Sequence, residues 1–183
     1  MVDAAALTLG EVEIARAWNV RGDPARLAFV DAARTMLGVA LPLQPNTSAR
    51  ADGSALLWLG PRSWLYVVMG DAPSDDFDAA RKAINAAGGA LFDVSSSYVA
   101  WTIAGEASAC VLNRGCPLDL HPRAFAPGSC AQSVFGHVNA LLYRPDGRFA
   151  FVVMVARSFA ADARAQLLEC AATDGYRVPA SAR

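Results

Sequence analysis

The 183-residue sequence is 54% hydrophobic and 18% charged, with a mean hydropathy of +0.27 and a formal net charge of −1 at pH 7. That composition excludes an intrinsically disordered chain, because enough apolar surface is present to offset the conformational entropy lost on folding. The small net charge argues against nucleic acid and anionic membrane surfaces as partners, and the longest strongly apolar run, residues 149–156, is too short to span a bilayer.

The N-terminal half predicts six elements in the order strand, helix, strand, strand, helix, strand. They cover residues 12–20, 23–38, 55–59, 64–69, 74–88 and 90–94. Asp23-Pro24 is a typical helix start, since an N-cap residue is followed by proline at the first helical position, and Gly38 is a typical helix end. Ser74 is predicted to cap the second helix. A turn at residues 60–62 joins the two middle strands into a hairpin.

The C-terminal half repeats this order imperfectly. Its elements cover residues 98–103, 105–114, 116–128, 130–135, 138–143, 149–155, 158–173 and 176–178. Of these, 105–114 and 158–173 are predicted helices, the second capped by Ser158. Residues 116–128 form a proline-rich loop, and the remaining ranges are predicted strands. Two βαββαβ-like passes predict an α+β fold of duplicated lobes, whose antiparallel sheets are covered by helices on one face. We expect a single compact unit, residues 1–183, with fused lobes of about 1–94 and 95–183.

The cellular compartment is suggested by the first residues and by the cysteines. The first fifteen residues contain no lysine or arginine, so they lack the basic start of a secretory signal. Four cysteines are too few for a disulfide-stabilised scaffold of this length. We therefore expect a cytoplasmic protein with free thiols.

Common catalytic motifs do not occur in the sequence: there is no glycine-rich phosphate loop and no GxSxG nucleophile elbow. The candidates for a metal site are Cys116, His121, Cys130 and His137. Their spacing contains no close pair of the CxxC or HxxxH kind, which zinc sites favour because one turn then presents two ligands. We therefore predict neither a metal nor a cofactor in this chain.

The segment from Asp93 to Tyr98, with three consecutive serines, places several polar side chains between two predicted strands. It has two interpretations. In the first, Asp93 and the serine hydroxyls form hydrogen bonds with loop amides, as is common in turns. In the second, Asp93, Ser95 and Tyr98 bind a ligand in a cleft at the junction of the lobes.

The predicted hairpin carries large apolar side chains on both faces, because Leu57-Trp58-Leu59 and Trp64-Leu65-Tyr66 flank one turn. Packing against the helices of its own lobe explains one face. The other face needs a cover as well, which favours a surface for a partner protein.

Four strings, found in this order within residues 50–170, resemble the gamma subunit of heterotetrameric sarcosine oxidase. They are Leu56–Pro61 followed by Trp64-Leu65, Asp93–Tyr98, Gly115–Arg123 followed by Phe125, and Arg157–Ala160. The strings GCPLDLHPR and DVSSSY are the most specific of the four. The first fifty residues carry little of the resemblance.

The resemblance implies the fold of the folate-binding domain of glycine-cleavage aminomethyltransferases and their relatives. It also implies a complex with alpha, beta and delta subunits, which oxidises the N-methyl group of sarcosine and gives glycine with hydrogen peroxide, or with methylene-tetrahydrofolate when folate is present. FAD, NAD and covalent FMN are then carried by the larger subunits and zinc by the delta subunit. The gamma chain is implied to be a non-catalytic structural subunit.

The folate-binding relatives have an acidic residue on a strand of their second lobe, and residues 136–144 resemble that stretch. Asn139 and Ala140 stand where the acid is expected. A carboxylate there would hold the pterin or move protons on the folate amine, so we expect the fold to persist without that chemistry.

Two other functions remain alternatives. A free-standing folate- or pterin-binding protein of the same fold would use the polar side chains of residues 93–98. A serine hydrolase would take its nucleophile from residues 95–97, with His121 as the base and Asp119 as the carboxylate that orients it.

If the chain is a subunit, arginine and aromatic side chains are the expected partner contacts, because these residue types are enriched at protein interfaces. The candidates are Trp58, Arg62, Trp64, Arg123, Arg157 and Phe159. Self-association of the isolated chain through the same surface is an alternative to partner binding.

Overall fold

The computed structural model describes residues 7–51, 53–71, 76–145 and 150–177. The chain divides into two units: the N-terminal unit, Glu13–Ser97, and the C-terminal unit, Met1–Val12 with Tyr98–Arg183. The strands are β1 Thr8–Val12, β2 Ile14–Arg21, β3 Ser48–Ala51, β4 Ser54–Gly60, β5 Ser63–Met69, β6 Ala90–Asp93, β7 Tyr98–Ala104, β8 Cys130–Phe135, β9 Val138–Tyr143 and β10 Ala150–Ala156. The α-helices are α1 Leu27–Leu37, α2 Phe77–Ala86, α3 Ser108–Asn113 and α4 Ala160–Ala172, with 3-10 turns at Ser95–Ser97 and Arg157–Phe159.

The N-terminal unit is a five-stranded antiparallel sheet in the order β3-β4-β5-β2-β6, with α1 and α2 on one face. Phe29 of α1, Ile84 of α2 and Trp64 of β5 are fully buried in its core. Gly22 and Gly89 leave room for the Phe29 ring, since a Cβ on either would lie 2.4 Å or 2.5 Å from a ring carbon. The predicted hairpin is confirmed as β4 and β5.

The helix ends of this unit differ in part from the prediction. Asp23-Pro24 begins a turn, in which Asp23 Oδ1 accepts from Ala25 N at 3.1 Å, and α1 starts four residues after Asp23. Gly38 ends α1 as predicted, at φ 68°. Ser74 lies outside the described residues, and the N-cap of α2 is Asp76, whose carboxylate accepts from Ala79 N at 3.0 Å.

The C-terminal unit repeats the strand order of the N-terminal unit, as β8-β9-β10-β7-β1. The prediction of an α+β fold with antiparallel, helix-covered sheets is therefore confirmed. β1 comes from the start of the chain and takes the place that β6 has in the N-terminal unit. Part of the predicted strand 176–178 lies outside the described residues. Within them, Arg177 forms a parallel bridge with Thr8 of β1, the strand that occupies the edge beside β7.

The helices of the C-terminal unit pack on one face of its sheet, where Leu112, Phe135 and Leu167 are buried. α3 is shorter than the predicted helix 105–114. The final helix is preceded by a 3-10 turn, so its N-cap is Phe159 rather than Ser158. Within the ranges described above, no helix is long and apolar enough to cross a membrane.

Both sheets also bury the face opposite their helices. In the N-terminal unit this face includes Leu57, Leu65 and Val67, of which none is more than 1% exposed, and in the C-terminal unit it includes Val152 and Met154. The high apolar content of the sequence is therefore largely accounted for by side chains that are buried within the chain itself. The expectation that the second face of the hairpin needs a partner is wrong on this ground.

Candidate functional site

The Asp93–Ser95 turn lies in the N-terminal unit, directly after β6. Asp93 Oδ1 accepts from Ser95 N at 2.9 Å and lies 2.5 Å from Ser95 Oγ. Ser95 Oγ accepts from Ala17 N at 2.9 Å and is 3.2 Å from Ala17 O. A hydroxyl has one proton, so it donates to the nearer carboxylate. The two side chains thus form the turn that the first interpretation of this segment describes, and ligand binding through them stays a prediction.

Tyr98 belongs to the C-terminal unit, where it is half-buried at the start of β7. Its carbonyl oxygen accepts from Arg157 Nη2 at 3.1 Å. Phe159, two residues further along, is 45% exposed. Arg157 and Phe159 therefore lie on one 3-10 turn and are both exposed, which is a requirement for contact with a partner.

Trp64 faces the core, contrary to the expectation of an outward-facing side chain. It is 0% exposed, its indole N–H donates to Pro42 O at 2.8 Å, and its ring lies 6.0 Å from that of Phe29. Trp58 is its cross-strand neighbour and is half-buried against the same core. Side chains directly opposite each other in a sheet share one face, so Trp58 and Trp64 both point towards the helices.

Arg62 lies at the tip of the β4–β5 hairpin and is the one exposed residue among the hairpin's three candidate partner contacts. Its guanidinium forms an ion pair with Asp23 at 3.1 Å, with side-chain exposures of 71% and 34%. Such an exposed pair contributes little to stability, on the order of 0 to 1 kcal/mol. Arg62 is therefore accessible to a partner.

The loop at residues 116–128 is held by hydrogen bonds between side chains and the backbone. Asp119 Oδ1 accepts from His121 N at 2.9 Å, and His121 Nδ1 accepts from Arg123 N at 3.2 Å. Asp119 thus contacts the backbone of His121 rather than its imidazole, which does not match the base-and-orienter arrangement of the hydrolase alternative. Arg123 is exposed. Arg144, buried at the end of β9, anchors the loop by donating from Nη1 to Phe125 O.

An asparagine that sequence reasoning missed supports the same loop. Asn113, the last residue of α3, donates from Nδ2 to the carbonyl oxygens of Cys116 and Leu118, and its Oδ1 accepts from Leu120 N at 3.4 Å. No periodicity or motif marks this residue. Only its position at a helix end before a loop hints at such a role.

Arg114 connects α3 with the end of α4. It donates to the carbonyl oxygen of Cys170 and to the carboxylate of Asp174. The hydrogen bond to Asp174 raises the pKa of Arg114 above its usual value. Arginine is charged over the whole working pH range in any case, so this pair is a structural tie and not a titrating site.

The predicted metal candidates are not brought together. Across the described ranges, no group of three or more histidine, cysteine, aspartate or glutamate side chains is placed to hold a metal ion. Cys116 is buried with its Sγ 3.8 Å from Ser133 Oγ, whereas His121 and His137 are exposed. At the two positions where the resemblance implies an acid in folate-binding proteins, Asn139 is exposed and Ala140 is buried in the core.

Known proteins resemble this chain in sequence and in structure. The model of the sarcosine oxidase, gamma subunit family matches residues 21–173. The gamma subunit of sarcosine oxidase from an Arthrobacter species is 32% identical over 143 residues, which cover 77% of this chain and 68% of that protein. The gamma subunit from Corynebacterium sp. strain P-1 is 31% identical over 160 residues, which cover 85% and 75%.

Among solved structures, a chain of the heterotetrameric sarcosine oxidase from Corynebacterium sp. U-96, in complex with pyrrole 2-carboxylate, superposes with a TM-score of 0.80 at 26% identity, covering 94% of this chain and 87% of that one. The glycine cleavage system aminomethyltransferase T of Bartonella henselae superposes with a TM-score of 0.58 at 14% identity, covering 95% and 48%, and shares the fold. By the match over residues 21–173 and by these relatives, the chain belongs to the sarcosine oxidase, gamma subunit family.

Proposed function

We propose that this chain is a non-catalytic structural subunit of a heterotetrameric sarcosine oxidase complex. The observation that carries the proposal is the superposition on a chain of such a heterotetramer over 94% of the present chain. The match extends over both units and is not limited to one motif. A subunit role therefore agrees with the whole fold.

The partners in the proposal are the alpha, beta and delta subunits. The complex oxidises the N-methyl group of sarcosine, and oxygen accepts the two electrons and becomes hydrogen peroxide. Glycine is released, and the oxidised one-carbon unit leaves as formaldehyde or, when tetrahydrofolate is present, as methylene-tetrahydrofolate. FAD, FMN, NAD and zinc are assigned to the partners, as is tetrahydrofolate. The cytoplasm is the proposed compartment.

The non-catalytic role is supported by how the polar candidates are used. Asp93 and Ser95 hydrogen-bond to each other and to β2, and Asp119 bonds to the backbone of its own loop. Ala140, one of the two positions where the resemblance implies the folate acid, is part of the apolar core. Asp93, Ser95 and Asp119 therefore hold backbone segments in place, as is expected of residues in a structural subunit.

The proposed partner contacts are the exposed or half-buried candidates, and Trp64 is no longer among them. They are Trp58, Arg62, Arg123, Arg157 and Phe159. Phe159 is 45% exposed, whereas Trp58, the other aromatic residue of this set, is half-buried. Truncation of an aromatic anchor at an interface costs on the order of 2 kcal/mol of binding free energy.

The proposal is tested by purifying the tagged full-length chain from its own cells. Co-purification of large subunits with flavin absorbance, together with sarcosine-dependent hydrogen peroxide formation, is the expected result. Recovery of the chain without any flavoprotein would refute the proposal. Phe159→Ala is expected to lower the yield of the complex, with the exposed Arg164→Ala of α4 as the control.

A further inference from the structure

One end of the N-terminal unit brings four chain segments together. We call it the arginine end; it consists of residues 21–27, 42–47, 60–63 and 87–90. Arg21 pairs with Ser63 on one side and with Ala90 on the other. The Trp64 indole N–H donates to Pro42 O at 2.8 Å, which holds the remaining segment at the same end.

The arginine end carries three exposed guanidinium groups, from Arg21, Arg26 and Arg62. The guanidinium of Arg26 lies over Gly88, where a Cβ would meet Nη1 at 2.4 Å. In these four described segments Asp23 is the one carboxylate, so the end has a net charge of +2, within a chain whose total is −1. The first turn of α1 adds no acidic residue. The positive charge is therefore local and largely uncompensated.

Large apolar side chains are exposed at the same end. Leu27 is 78% exposed and Leu43 is 63% exposed, more than any other large apolar residue of the described chain. Single exposed leucines are common on protein surfaces, but here two exposed leucines belong to the same four segments as three exposed arginines. Apolar side chains and arginines are both found at protein interfaces, where arginine is enriched.

We propose that the arginine end is the docking surface for an acidic segment of a partner subunit, and that this segment carries at least one large apolar side chain. The inference rests on the proposed subunit function and adds the place and the chemistry of one contact. A second copy of this chain is not the occupant that the charges favour, because a symmetric dimer through this end would place +2 against +2. A carboxylate-rich segment neutralises the arginines and covers the leucines.

The test measures binding of the full-length chain to the complex of the remaining subunits, at low and at high salt. The double variant Arg26→Glu with Arg62→Glu reverses two charges of the surface. We expect it to bind about tenfold more weakly than wild type at low salt, and less so at high salt, because exposed charge pairs are screened by ions. Arg164→Glu, which reverses an exposed charge on α4, is the matched control and is expected to change affinity by less than about twofold.

Leu27→Ser tests the apolar half of the proposal without altering charge. It is expected to weaken binding at both salt concentrations. The substitution should not disturb folding, because the Leu27 side chain is mostly exposed to solvent. Circular dichroism establishes that each variant is folded before its affinity is compared. The proposed docking surface would be refuted if the folded double variant and Leu27→Ser both bound with wild-type affinity. It would also be refuted if the control Arg164→Glu lost as much affinity as they did. Failure of the wild-type chain to join the complex would instead overturn the proposed function, and this inference with it.

Discussion

Replacing Trp64 separates a core role from a partner role, because the structure buries this side chain completely. Trp64→Ala removes an indole that fills the space beside Phe29 and deletes the hydrogen bond to Pro42 O. A buried aromatic truncated to alanine costs about 3 to 5 kcal/mol. With a denaturant slope of about 2 kcal/mol per molar urea, the midpoint of unfolding should fall by about 2 M.

The assay is urea unfolding of the isolated chain followed by circular dichroism, with Trp58→Ala as the matched control. Trp58 is the cross-strand neighbour and is only half-buried, so its removal should cost clearly less stability. Trp64→Phe keeps most of the side-chain volume, so its unfolding midpoint should lie between those of Trp64→Ala and Trp58→Ala. A Trp64→Ala midpoint no lower than that of Trp58→Ala would show that the packing argument is incorrect.

Three further predictions follow from the contacts. Gly89→Ala should destabilise the chain by about 1 to 3 kcal/mol, since its Cβ would clash with the Phe29 ring at 2.5 Å, whereas Gly60→Ala, with open space around it, should be near neutral in the same thermal melts. Asp93→Ala and Ser95→Ala should each cost about 1 kcal/mol, and the double variant little more, because both remove one turn; additive losses in urea unfolding would contradict this. Titration of the isolated chain with tetrahydrofolate, followed by tryptophan fluorescence, should show no saturable change, and micromolar binding would support the free-standing folate-binding alternative instead.

Much of the fold could be predicted because local signals mark it. Gly38 ends α1 in the left-handed conformation that glycine favours, and the turn at residues 60–62 joins β4 to β5. The duplication could be read from the order of elements. These features depend on neighbouring residues, which is the range over which sequence patterns are informative.

The assignment of β1 to the C-terminal unit had no such signal. Its partner, β7, lies about ninety residues away in the chain, and only Glu13 separates β1 from β2. A pairing of this kind depends on which sheet edge is vacant in the folded unit.

The inward orientation of Trp64 was equally hidden, because alternation shows which residues share a face of the hairpin but not which face meets the helices. The contacts of Asp93 and Ser95 agree with the first of the two interpretations of this segment, a polar turn, since Asp and Ser bond their own backbone locally. Contacts across the loop at 116–128, such as Arg144 with Phe125, join residues that no local pattern links.

Native mass spectrometry of the complex purified through this chain tests the central claim most directly. The account predicts one assembly that contains a single copy of this chain with three different partner chains, and with flavin retained on the partners after dissociation. A chain that is found only alone, or only with copies of itself, would contradict it.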